Sequence, residues 1–326
     1  MKAIQCKAFG PIDDLALADI PIPDPGPGQL RVAVHAASVN FFDLLMIRGQ
    51  YQFKPTLPFT PGAEAAGEVI ALGDGVSGFA IGDRVAIGGQ AGAFAEQAIV
   101  AVGRAHRLPD GVSYDVAAAY RGTYGTAYYA LRDRALLQPG EVLLVHGASG
   151  GTGLAAVELG RVMGARVIGT VGGAAKADIV RDHGAETVLI YGGGERLRDQ
   201  VKAATGGKGA DVIFDVVGGD VFDESLRCIN WYGRLLVIGF TSGRIPAAPT
   251  NLTLLKSCSV VGVFFGAWCD REPEAARALN QTLLDWIAEG RIKPHVSARF
   301  PLSDSVAAMR TLAERKAIGK VVITCR

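Results

Sequence analysis

The stretch Gly147-Ala-Ser-Gly-Gly-Thr-Gly153 can do chemistry without a single reactive side chain. Glycines at this spacing let bare backbone approach a pyrophosphate, and free N–H groups at a following helix start favour its negative charge. Ser149, Gly150, Gly151, Thr152 and Gly153 are the candidate phosphate contacts. The elements that must position them are legible on both sides. Val142–Val145 is an apolar run of buried-strand type, Leu154–Met163 is amphipathic and closed by Gly164, and Arg166–Val171 is a second apolar strand. Glycine-rich turns often do no more than reverse the chain; strand, turn, helix and strand in this order predict a dinucleotide-binding βαβ unit.

The residues after the second strand predict which dinucleotide. A site selective for NAD carries an acid about 20 residues past the glycines, where it accepts from the ribose 2′-hydroxyl. Here Val171 is followed by Gly172-Gly173-Ala-Ala-Lys176, and the next acid, Asp178, falls inside the predicted following helix. Two glycines and a lysine accommodate a 2′-phosphate that a carboxylate would repel, so the expected cofactor is NADPH. Lys176 also reads as an ordinary solvated helix residue. Tyr191, just after the third strand, either lines the adenosine side or is a strand-end aromatic.

Composition narrows the class. The 326 residues are 49% hydrophobic and 20% charged, with a formal net charge of +1. That lacks the basic excess expected of a nucleic-acid or anionic-membrane binder. No apolar run approaches the roughly 20 residues needed to span a bilayer. The opening MKAIQCKAFGPIDDLALADI has no apolar core of signal-peptide type, so the expected location is cytoplasmic. Cys6, Cys228, Cys258, Cys269 and Cys325 are scattered, which predicts reduced thiols and no zinc cluster.

Organisation changes along the chain. Short segments at Ala3–Cys6, Leu30–Ala37, Ala65–Leu72, Arg84–Ile87 and Phe94–Val100 are punctuated by proline and glycine, as in a β-rich fold. A helical stretch follows from Ser113. From Glu141 strands and helices alternate, with later strands at Thr187–Ile190, Asp211–Val216, Arg234–Phe240 and Ser257–Phe264. Together they predict an α/β, doubly wound, six-stranded sheet. A long helix at Pro273–Glu289 and a last strand at Gly319–Thr324 then complete the β-rich fold, with the nucleotide domain as an insertion.

The whole length resembles the zinc-independent medium-chain dehydrogenases/reductases of the quinone oxidoreductase (zeta-crystallin-like) family. The resemblance is carried by VNFFDLLMIRGQY (39–51), LPFTPGAEAAGEV (57–69), VHGASGGTGLAAVELGRVMGARVIGTV (145–171) and the C-terminal GKVVI. Gly147 in place of the usual Ala, Glu158 in place of the usual Gln, and Tyr120-Arg121 in place of apolar residues are departures. The resemblance implies a Rossmann domain at 121–264 inserted into a GroES-like catalytic domain formed by 1–120 and 265–326. Zinc-dependent relatives carry Cys near position 40 and Gly-His-Glu where this chain has Gly62-Ala63-Glu64; with Asn40, Ala63 and no close set of four cysteines, no tetrahedral site is expected. The histidines at 35, 106, 146, 183 and 295 sit apart, and none reads as a ligand.

Hydride transfer without a Lewis acid needs an acceptor whose charge delocalises onto a distal oxygen, such as a quinone or an α,β-unsaturated carbonyl. By carry-over, Asn40 hydrogen-bonds near the nicotinamide or acceptor and Tyr51 donates to the developing oxyanion. In the plainer reading Asn40 caps a helix, Tyr51 is a half-buried loop aromatic and Asp43 is structural. Family positions add Thr126, Val217-Gly218, Phe240-Thr241-Ser242, Phe264-Phe265 and Lys320 to the cofactor contacts; core packing is the alternative for the two phenylalanines. The implied activity is an NADPH-dependent, zinc-free reductase of quinones or quinone-like acceptors. Enoyl reduction of unsaturated carbonyls or thioesters in the same cleft stays open, with Arg48 and Lys54 as the thin basis for a thioester groove. A crystallin-like or RNA-binding role without turnover is the reading from another class, and the missing basic and aromatic footprint speaks against nucleic acid. The long apolar strand near 257–265 predicts a sheet edge that pairs with its own copy in a homodimer.

Overall fold

The computed structural model describes residues 1–192 and 194–326, which divide into two compact units, Met1–Gly122 with Pro273–Arg326 and Thr123–Glu272. The first unit opens with β1 (Lys2–Gln5) and β2 (Ala16–Asp19), paired antiparallel. Then come β3 (Gln29–Val39), α1 (Phe41–Ile47), β4 (Glu64–Leu72), β5 (Arg84–Gly88), β6 (Gln97–Ala101), β7 (Ala105–Arg107) and α2 (Tyr114–Tyr120). The strand expected at Phe94–Val100 begins three residues later, because Phe94 is taken into the core beneath it, fully buried.

In the second unit, α3 (Thr126–Tyr129) precedes β8 (Val142–Val145) and α4 (Gly151–Val162). The helix begins at Gly151, not at Leu154, so the last glycines of the turn are its first residues. Next are β9 (Arg166–Val171), α5 (Ala177–Asp182), β10 (Thr187–Ile190), α6 (Leu197–Ala204), β11 (Ala210–Asp215), α7 (Gly219–Cys228) and β12 (Ile229–Val237). α8 (Thr250–Lys256), β13 (Ser259–Gly262) and α9 (Phe265–Arg271) close the unit. The six strands lie in the order β10-β9-β8-β11-β12-β13, all parallel. That is the doubly wound arrangement, with ligand-binding loops at the carboxyl ends of the strands. β13 is the edge, but at four residues it is much shorter than the expected 257–264. Likewise β12 ends at Val237, which leaves Phe240 in the loop beyond it.

The chain returns to the first unit at Pro273, where α10 (Pro273–Ala288) starts, and not at residue 265. The difference is α9: its Phe265 and Trp268 pack against Tyr129 of the second unit, with ring centroids 6.1 and 4.5 Å away. β14 (Val296–Pro301), α11 (Ser305–Ala313) and β15 (Lys320–Thr324) follow. They complete a seven-stranded sheet, β14-β15-β3-β4-β5-β7, with β6 on the other half of β3. β15 runs antiparallel to β3, Val321 opposite Val39 and Thr324 opposite Ala36. This register sets Lys320 beside the end of β3 and the start of α1. Among the described residues, no helix is long and apolar enough to cross a membrane.

Candidate functional site

In the second unit the glycine turn is built by exclusion. Gly147 adopts φ +61°, and a Cβ on Gly153 would lie 2.2 Å from the Gly147 carbonyl oxygen. Only hydrogen fits at Gly153, so the turn folds flat against the first turn of α4. Gly150 is the extended N-cap residue and supplies no side-chain cap, and no acid stands in the first turn. The amide groups opening α4 lack intrahelical carbonyls, so Gly151, Thr152 and Gly153 present an anion-receptive face beside buried Ser149. His146 anchors the turn from below. Its ring nitrogens lie 3.0 Å from Thr170 Oγ1 and 2.8 Å from Ser225 Oγ, and burial lowers its pKa, which keeps it neutral. The departure at Glu158 is accommodated as a buried acceptor for the Tyr124 hydroxyl, 2.5 Å away.

At the carboxyl end of β9, Gly172 is exposed and Lys176 half-buried. A Cβ on Gly172 would sit 3.6–3.7 Å from the Tyr191 ring and hydroxyl, so the two residues are neighbours as the adenosine-side reading requires. Asp178, the nearest downstream acid, is bonded to Arg181 at 2.7 Å. No carboxylate follows Val171 until that residue.

The loops after β11 and β12 form one surface. Ser242 N–H donates to the Val217 carbonyl at 2.9 Å and Thr241 N–H to that of Val216 at 3.1 Å, and Phe240 packs over Gly218. Asp215, which the sequence did not single out, organises it: its Oδ1 accepts from the Val217 and Gly218 amides at 2.8 and 2.9 Å. Those amides are therefore committed to the turn. The two phenylalanines part company: Phe264 is 54% exposed, whereas Phe265 is buried against Gly125, next to Thr126.

The first unit contains a buried polar cluster of Ser38, Asn40, Glu64 and Lys320, none more than 8% exposed. Glu64 Oε1 accepts from Ser38 Oγ at 2.6 Å, Asn40 Nδ2 at 2.8 Å and Lys320 Nζ at 3.0 Å, while Oε2 accepts from Gly122 N–H at 2.7 Å. Burial alone would raise this carboxyl; the Lys320 ammonium and the other donors override it and hold the pKa below the usual glutamate value. Lys320 Nζ also donates to Asn40 Oδ1 at 2.6 Å and the Val39 carbonyl at 3.3 Å. The ammonium expected near the cofactor is bonded to Glu64 and Asn40, because an unpaired charge this deep would be prohibitively desolvated. The Asn40 amide is pinned at both ends. Its backbone N–H donates to Asp43 Oδ2 at 2.8 Å, so it caps α1 as the plainer reading had it.

Asp43 is 1% exposed and pushed up to about 7, chiefly by burial, with Asn40 N–H and Lys320 opposing. Tyr51 is half-buried, stacks on Phe42 with centroids 5.6 Å apart, and has its phenol pKa raised by burial and by Asp43. It stays protonated at neutral pH and can donate. Glu64 was read from sequence only as the neighbour of the missing histidine. A glutamate opening the apolar strand EAAGEVIAL, ahead of three small residues, was itself a signal, since a charge entering a core must bring partners. Among the described residues, no group of three or more His, Cys, Asp or Glu side chains could hold a metal ion.

Known proteins match this architecture. The alcohol dehydrogenase GroES-like domain family matches residues 26–110 and the zinc-binding dehydrogenase family residues 151–284. A quinone oxidoreductase-like protein 2 homolog of Nematostella vectensis is 40% identical, covering 100% of this chain and 89% of its own. The quinone oxidoreductase of Pseudomonas aeruginosa is 36% identical over 99% of both chains. Among solved structures, Escherichia coli quinone oxidoreductase complexed with NADPH superposes with a TM-score of 0.92 at 31% identity, covering 100% of both chains.

Proposed function

This chain belongs to the quinone oxidoreductase family of medium-chain dehydrogenases/reductases, and on that premise we propose that it is a cytoplasmic, zinc-free, NADPH-dependent reductase of quinones or quinone-like acceptors. The observation that carries the cofactor choice is the carboxylate-free end of β9 beside a glycine cradle that a single Cβ at Gly153 would fill. Gly150–Gly153 hold the pyrophosphate, and Gly172, Gly173, Lys176 and Tyr191 surround the 2′-phosphorylated adenosine. NADPH, when bound, supplies a hydride from its nicotinamide; with one proton, the quinone becomes the hydroquinone and NADP⁺ is left.

The chain's own residues do the rest. Tyr51, held protonated, donates toward the oxygen that gains charge, which is where a fixed donor lowers the barrier most. Glu64 and Lys320 fix Asn40, and Asn40 with Asp43 fixes the start of α1 and so the segment leading to Tyr51. Asn40 and Ala63 supply neither thiolate nor imidazole, which supports metal-free chemistry through the residues themselves. The exposed edge β13, with Val260 at 37%, supports a homodimer that extends the sheet across a two-fold axis.

The test is NADPH oxidation by purified protein against a panel of quinones and enones, with metal content measured on the same sample. Quinone reduction with negligible zinc is the expected result. Stoichiometric zinc would overturn the metal-free mechanism, and enone-only turnover the acceptor class.

A further inference from the structure

In the second unit, the segment from Thr123 to Leu131 is buried at every residue but one. Thr126 alone is half-exposed, so this stretch holds a single polar side chain at the surface. Its backbone is unusual: π-helical turns at Arg121–Gly125 and Ala130–Arg134 enclose the four residues of α3. A π turn carries an extra residue, is rare, and gathers at functional sites.

Two contacts hold the turn that leads into Thr126. The Tyr124 hydroxyl donates to Glu158 Oε2 at 2.5 Å, a distance typical of a hydroxyl on a carboxylate, and both residues are buried. Glu158 belongs to α4, about two turns along from the phosphate cradle at its start. The second contact is Gly125 on Phe265, so close that a Cβ would meet the ring at 2.5 Å. Phe265 opens α9, just beyond the carboxyl end of β13.

The sheet order shows which part of a cofactor would meet Thr126. Gly172 and Tyr191 follow β9 and β10, on one side of β8 and its glycine turn; β11, β12 and β13 lie on the other. A dinucleotide across this switch point with its adenosine over β9 and β10 carries its nicotinamide toward β11–β13. The Phe265 contact sets Thr126 at that end. Given the cofactor seat of the proposed reductase, on which this rests, we propose that Tyr124 and Glu158 are positioning residues. Their hydrogen bond ties the turn presenting Thr126 to the helix of the cradle, and so fixes where the nicotinamide is held relative to the pyrophosphate.

Two ligands that differ only by the nicotinamide ring, NADPH and 2′-phospho-ADP-ribose, separate this role from general damage. Titrated by calorimetry, Tyr124→Phe should bind NADPH at least about fivefold more weakly, the worth of one hydrogen bond, with 2′-phospho-ADP-ribose within about twofold of wild type. Tyr124→Phe combined with Glu158→Met removes the tie without stranding a buried partner, and should show the same selective loss if the single variant fails to fold. Thr126→Val should show it too. Glu158→Gln keeps an acceptor for Tyr124 and should stay within about twofold of wild type for both ligands. Equal weakening of the two ligands, or weakening of neither, in the Tyr124 variants overturns the proposal, as does a Glu158→Gln protein equally impaired. Wild type that binds the two ligands equally leaves the cofactor seat standing and removes the nicotinamide role. Wild type that binds neither removes the seat itself, and the proposal with it.

Discussion

Lys320→Met leaves the Glu64 carboxylate buried with its counter-ion gone and deprives Asn40 Oδ1 of its 2.6 Å donor. Removing one partner of a buried ion pair costs about 3–5 kcal/mol, because the other charge stays desolvated. Here Ser38, Asn40 and Gly122 still donate to Glu64, so the expected loss is at the lower end, about 3 kcal/mol. Glu64→Gln combined with Lys320→Met removes both charges, and that double variant should recover to within about 1 kcal/mol of wild type. Urea unfolding at pH 7 gives the totals. Hydrogen exchange at β3, β4 and β15 localises the damage, which should spare β8 and β9. In the single variant Glu64 escapes its penalty by taking up a proton, so the deficit should shrink as pH falls. A deficit below about 0.5 kcal/mol, or a double variant no better than the single, would refute the claim that the pair neutralises a buried charge.

Tyr51→Phe should slow turnover while leaving NADPH affinity nearly unchanged; equal rates in stopped-flow assays would return the ring to a packing role. Gly172→Asp puts a carboxylate beside Tyr191 and should weaken NADPH at least about tenfold while sparing NADH, as read by fluorescence titration. For Asp43, whose folded pKa is raised to about 7, the folded state binds the extra proton. Its contribution is fully present below the unfolded aspartate value and is lost as pH rises through about 7. Asp43→Asn should therefore flatten the pH dependence of unfolding free energy between about pH 4 and 7, where one such group contributes a slope of up to about 1.4 kcal/mol per unit. An unchanged slope would count against a buried, protonated Asp43.

How much was legible before the structure depended on range. The strands Arg166–Val171 and Thr187–Ile190 match the sequence reading to the residue, because each is a short apolar run bounded by turn residues. The glycine cradle was legible for the same reason: its constraint, Gly153 on Gly147, acts over six residues. The Lys320–Glu64 pair spans 256 residues, and no local pattern announces it. Lys320 was accordingly read only as a cofactor contact, and its burial as the counter-ion of Glu64 was not foreseen. Phe264 and Phe265 show the same limit on a small scale, since adjacent identical side chains cannot be told apart until α9 decides which faces Gly125. The edge strand was read too long because hydrophobicity continues through Phe264, whereas pairing with β12 stops at Gly262.

The pairing of β15 with β3 also bears on how the molecule comes into being. Asn40 and Lys320 lie 280 residues apart, with the entire second unit between them. Contacts of such separation are entropically late, and domains fold as units from the N-terminal side during synthesis. Glu64 thus spends most of that time without its ammonium, and β3 without its neighbour. The inserted unit has its whole sequence available first. The nucleotide fold can be finished while the fold that surrounds it in sequence is still waiting for its last strand.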